Sequence, residues 1–189
     1  MDFQLTDEQD MLARTVARFV EREYDMAARR ELASSPLGYS PQNWRSFAEM
    51  GLLSLNIPEA DGGMGGGPVE TMIVMEAFGR GLVVDPFLPT AVVAAPLLAR
   101  AADDRTRASL LPAIGAGDIK VSLAANEPEA GFDFAYVTTI ARPDQAGWKI
   151  SGRKCVVPAG DSADKLIIPA RTAGAPTDRT GISLFLVDA

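Results

Sequence analysis

The chain has no histidine and a single cysteine, Cys155. Without histidine, Ser-His-Asp and Cys-His catalysis cannot be built from these residues, so acid–base or redox work falls to carboxylates, Lys, Tyr or a bound cofactor. One cysteine allows no intramolecular disulfide, and a Cys/His metal site lacks its ligands. No apolar run approaches the roughly 18 residues that mark a membrane span, and no membrane contact is expected. Clusters of Lys and Arg interleaved with aromatics are also missing, and a net charge of −7 repels phosphate backbones, so nucleic acid is not an expected partner. The opening MDFQLTDEQD is acidic. It has neither the basic start of a secretory signal nor the Arg-rich, acid-poor character of a transit peptide, which makes the cytoplasm the expected location.

What is present is enough sequence, 189 residues, for one large or two small domains. The first part reads as helices. Thr6 with Gln9 forms a capping box, and Leu12, Val16, Phe19 and Val20 follow at helical spacing. A second helix is expected over about Met26 to Ser34, and a third after Ser40 and Pro41, an N-cap with proline in the first turn. Gly51 stands where a left-handed residue ends that helix. Five glycines between Gly62 and Gly67 predict a mobile connection. They are not a phosphate cradle, because Gly67 leads into Pro68 and Val69 with no Lys and Ser/Thr opening the helix. Val69, Met72, Ile73 and Phe78 then give a broad apolar helix face. Pro96 requires the helix over Thr90 to Ala101 to start late or bend, and Pro112 is expected to interrupt the next one.

Beyond Ile119 the texture changes to short Val/Ile/Leu-rich segments between Pro/Asp/Gly turns. Tyr136 to Ala141, Trp148 to Ile150, Arg153 to Val157, Lys165 to Ala170 and Gly181 to Val187 read as antiparallel strands. The expected fold class is therefore α+β, an all-helical domain over 1–118 followed by an antiparallel β domain over 119–189. At the junction lies SLAANEPEAGFD, Ser122 to Asp133. Val121 to Ala125 suit a buried strand, while Pro128 and Gly131 take the chain out of the sheet as a loop with free peptide groups. Such a loop can hydrogen-bond a flat heteroaromatic edge, although from this stretch alone a strand followed by an ordinary Pro/Gly turn is the preferred reading.

Glu127, Pro128, Ala130, Gly131 and Asp133 match a loop usually written T-E-P-x-A-G-S-D, and on this the chain resembles the acyl-CoA dehydrogenases. The likeness extends through F-x-L-T-x-E-Q at Phe3, P-E-x-x-G-G-x-G at Pro58, E-x-x-G-R-G at Glu76, G-W-K-I-S-G-R-K at Gly147 and G-D-S-A-D at Gly160. The resemblance implies an FAD-dependent enzyme that removes an α-proton from an acyl-CoA and passes the β-hydride to the flavin. Carried over by position, the flavin contacts fall on Leu123, Ala125, Asn126, Val156, Val157 and Pro158, and the contact with the CoA arm on Phe132.

Four of these depart from the pattern. Asn126 replaces a Thr, Phe132 a Ser, Val156 an aromatic, and Pro158 a Thr that usually hydrogen-bonds the flavin. The resemblance also implies more β domain and a C-terminal helical bundle bearing the catalytic glutamate. The sequence stops at Ala189, so no catalytic residue is assigned, the isolated chain is expected to be inactive, and Glu127 is expected to be structural. Two other readings stay open: a non-catalytic subunit of a hetero-oligomeric acyl-CoA dehydrogenase, and a flavin monooxygenase or oxidase on the same fold. The apolar residues of Met72 to Phe78 and Val137, Ile167, Leu184 and Leu186 predict association, either with itself or with another acyl-CoA dehydrogenase-like chain.

Overall fold

The computed structural model describes residues 4–131, 133–145 and 147–189. The chain forms two compact units that divide between Ile119 and Lys120.

The first unit is helical, with α1 (Asp7–Glu23), α2 (Met26–Ser34), α3 (Pro41–Glu49), α4 (Pro68–Gly81), α5 (Ala95–Ala101) and α6 (Asp104–Gly115). The expected caps form. Gln9 N–H donates to Thr6 Oγ1 at 3.2 Å while Thr6 N–H donates to Gln9 Oε1 at 3.0 Å. The same Gln9 donates through Nε2 to Glu70 Oε1 at 2.7 Å, and Glu70 Oε2 accepts the Gly67 N–H at 2.8 Å. Two helix starts are thus tied by one glutamate. Between them the core is aromatic. Phe47 stacks on Phe78 with ring centroids 4.8 Å apart, and Phe87 meets Phe78 edge-on at 5.0 Å. Tyr24 donates to buried Asp85, whose other oxygen accepts the Ser40 N–H at 3.1 Å.

The glycine stretch is bonded into the fold and is not a free connection. Met64, Gly65 and Gly66 donate to Ser54, Ile57 and Leu55 carbonyls at 3.0, 2.9 and 2.8 Å. A Cβ on Gly63 would lie 2.1 Å from the Ile57 oxygen, so glycine is required there for close approach. Pro96 does not delay its helix either: a π-helical segment, Leu88–Ala94, runs directly into α5, with Ala95 N–H donating to Thr90 O. That shift of the ladder reconciles the helix with a residue lacking a donor. Pro112 lies within α6 without ending it.

The second unit is a mixed sheet of β1 (Val121–Leu123), β2 (Ile140–Asp144), β3 (Gly147–Ser151), β4 (Lys165–Arg171) and β5 (Ile182–Asp188). β2–β3 and β4–β5 pair antiparallel, as the texture predicts. β1 and β2, however, both pair with β4 in parallel, β1 along Lys165 to Ile167 and β2 at Arg171. Long connections permit this, since parallel neighbours need a dozen or more residues between them. Arg153 to Val157 joins no ladder, and Tyr136 to Thr139 precedes β2 as irregular chain. Of the apolar residues expected to need cover, Val137 and Ile167 are buried, while Met72, Leu184 and Leu186 remain exposed. Among the described residues no helix is long and apolar enough to cross a membrane.

Candidate functional site

The six candidate flavin-contact residues lie in the sheet unit, on two segments that the fold brings side by side. Leu123 ends β1, and Ala125 and Asn126 follow it. Ala124 N–H donates to Ile167 O of β4 at 2.9 Å, and strand alternation turns the flanking Leu123 and Ala125 N–H groups away from β4. Val156, Val157 and Pro158 lie on an irregular segment held against this one. Cys155 N–H donates to Asn126 O at 2.9 Å, Asn126 Nδ2 to Val156 O at 3.3 Å, and Ser122 Oγ to Pro158 O at 2.6 Å. Phe132 lies outside the described residues.

Val156 is the unusual member. It has φ 47° and is 79% exposed, so a β-branched side chain stands in the left-handed region without burial to favour it. Pro158 has no donor, and one of the Asn126 amide hydrogens is given to Val156 O. Side chains therefore give a ligand little to bond. The backbone gives more, because the N–H groups of Ala125, Val156 and Val157 have no hydrogen bond among the described residues.

Glu127, one residue beyond Asn126, sits beneath these segments. Its Oε2 accepts the N–H and hydroxyl of Thr138, and its Oε1 accepts the Thr139 N–H at 3.0 Å and Lys154 Nζ at 2.8 Å. Burial pushes the carboxyl up, but the hydrogen bonds from Lys154, Thr138 and Thr139 outweigh it and bring the group down to about 2. A carboxylate with its acceptor positions filled and so low a pKa is a poor proton acceptor. Lys154 and the two threonines were not singled out by the sequence. Lys154 stands at the end of the quoted G-W-K-I-S-G-R-K run, yet nothing local names Glu127 as its partner. Gly152 makes the approach possible, since a Cβ there would lie 2.6 Å from the Thr139 Cα.

An open groove lies elsewhere, in the helical unit. It measures about 490 Å³ between α1 and α4, is lined by Leu5, Val20, Met72 and Ile73 among others, and contains none of the candidate residues. No cluster of His, Cys, Asp and Glu able to hold a metal occurs among the described residues.

A family model described as acyl-CoA dehydrogenase, N-terminal domain, matches residues 6–118, and one described as acyl-CoA dehydrogenase, middle domain, matches residues 122–189. The chain belongs to the acyl-CoA dehydrogenase family. The acyl-CoA dehydrogenase FadE12 of Mycobacterium tuberculosis is 29% identical over 190 residues, covering 92% of this chain and 48% of FadE12. Among solved structures, the ChsE4–ChsE5 complex from Mycobacterium tuberculosis superposes with a TM-score of 0.85 at 27% identity, covering all of this chain and 49% of that one. The FAD complex of PigA gives 0.85 at 26% identity, again over all of this chain and 50% of that one. The chain thus spans about half the length of FadE12 and of these solved chains.

Proposed function

We propose that the chain works as part of an FAD-dependent acyl-CoA dehydrogenase, with Leu123, Ala125, Asn126, Val156, Val157 and Pro158 forming one wall of the flavin site. The observation that carries this reading is the group of N–H donors at Ala125, Val156 and Val157, without a hydrogen bond among the described residues, beside the exposed aliphatic side chain of Val156. Donors next to an apolar surface fit a planar ring with acceptors along its edge. The PigA structure, an FAD complex on the same fold, supports the assignment. FAD, when bound, supplies hydride acceptance. The residues described here bind and orient the ring by their backbone, and Val156 and Pro158 limit water at its face. Glu127 holds no proton-transfer role in this reading, and the substrate is an acyl-CoA thioester. An absorbance spectrum of the purified protein tests the proposal: a bound-flavin spectrum supports it, and failure to take up added FAD counts against it.

A second reading is favoured by what the side chains lack. Asn126 commits one amide hydrogen within the chain, and Pro158 cannot donate. On this reading the chain is a subunit whose flavin site is completed by another acyl-CoA dehydrogenase-like chain, as the ChsE4–ChsE5 relative is a complex of two proteins. Flavin retained only in a mixed complex, and not by this chain with itself, selects the second reading.

A further inference from the structure

Backbone strain of the kind seen at Val156 persists only where the surroundings over-determine it. The side chain contributes nothing to that, being 79% exposed. The three hydrogen bonds already described, from Cys155, Asn126 and Ser122, join neutral groups, and the Asn126 bond is exposed to competition from water. The contact of Lys154 with Glu127 is different in kind. It is charge-assisted and buried, lies two residues before Val156 in one segment and one residue after Asn126 in the other, and reaches on to Ala125 O at 3.4 Å. Glu127 is itself immobilised by Thr138 and Thr139. A well-packed apolar pair would serve stability as well as a buried ion pair does, but it would not fix the register of one irregular segment against another.

We propose that the Glu127–Lys154 pair is a positioning device for the ligand edge: it holds Val156 in its left-handed conformation and keeps the Asn126 and Val156 segments in register. The inference rests on the flavin-site reading for its ligand, while its structural part stands apart from that reading. Glu127 and Lys154 touch no ligand in this scheme. They act through Val156 and Asn126.

The test uses the complete protein with any subunit that accompanies it, as wild type, Glu127→Gln, Lys154→Met, Lys154→Arg and the double variant Glu127→Gln/Val156→Gly. Two quantities are read: FAD affinity with the absorption band of the bound flavin, and hydrogen exchange of the Cys155 amide. The expected result is FAD weakened by about tenfold or more in Glu127→Gln and Lys154→Met, with a shifted flavin band and faster Cys155 exchange, and partial recovery in Lys154→Arg. Glycine adopts a positive φ without strain, so the double variant should regain Cys155 protection relative to Glu127→Gln. If Lys154→Met does not fold, the comparison of Glu127→Gln with the double variant decides. Wild-type affinity, spectrum and Cys155 exchange in Glu127→Gln would overturn the proposal, as would a double variant no better protected than the single one. If the wild type binds no FAD, the flavin reading fails, and Cys155 exchange alone supports or overturns the positioning role.

Discussion

Lys154 Nζ stands 2.8 Å from Glu127 Oε1, with the lysine side chain 9% exposed and the glutamate side chain fully buried. Because the folded-state pKa is depressed to about 2 from 4.5, this carboxylate stabilises the fold at and above its ordinary value, and the contribution is lost as pH falls through that window. The difference corresponds to roughly 3 kcal/mol. Denaturant titrations followed by Trp148 fluorescence in a Trp44→Phe background report on the sheet unit. Wild type should weaken as pH drops below the ordinary carboxylate value, and Glu127→Gln should be weaker at neutral pH by roughly 3–5 kcal/mol, with a flatter acid dependence. Equal acid profiles would contradict this account of Glu127.

Arg171, buried in β4, should not tolerate lysine. Its Nε donates to Val137 O at 3.2 Å, Nη1 to Asp178 O and Thr180 O at 3.0 and 2.7 Å, and Nη2 to Ala135 O and Pro176 O at 3.1 and 3.0 Å. A planar guanidinium fills five acceptors at fixed angles, which a three-donor ammonium cannot. Arg171→Lys is expected to lose roughly 2–4 kcal/mol and to expose Arg179 to faster tryptic cleavage. Unchanged stability and cleavage would show that the carbonyls find other partners.

Helix starts were legible in the sequence because caps are local. Thr6 with Gln9, and Ser40 with Pro41, carry their hydrogen-bond partners within a turn. The expected two-part order, helices and then strands, is likewise a matter of local periodicity. The segment from Arg153 to Val157 was misread as a strand, since valine content reports fit to a pleated, half-buried surface and Val156 is exposed at a positive φ. The parallel pairing of β1 with β4 leaves no local trace, because alternation within a strand does not name its neighbour. The Glu127–Lys154 contact spans 27 positions, and which lysine meets which glutamate is settled only by the tertiary fold.

Val156→Gly should separate stability from binding. Glycine removes the left-handed strain and forfeits no buried surface, so the sheet unit is expected to gain up to about 1 kcal/mol after the larger chain entropy of glycine is set against it. FAD affinity should fall in the same variant, since the proposed flavin site offers the exposed isopropyl group as its apolar surface to the ring. Thermal denaturation and FAD titration of one preparation check both directions. A variant that is both less stable and unchanged in FAD affinity would show that the conformation of Val156 serves neither purpose.

The central claim is that the edge formed by Leu123 to Asn126 and Val156 to Pro158 binds flavin. FAD titration of the purified protein, alone and with any subunit that co-purifies, followed by quenching of flavin fluorescence, tests it most directly. The account predicts saturable binding in at least one of these forms, weakened by about tenfold or more in Val156→Gly. Absence of FAD uptake in every form, or uptake indifferent to Val156→Gly and Glu127→Gln alike, would contradict it.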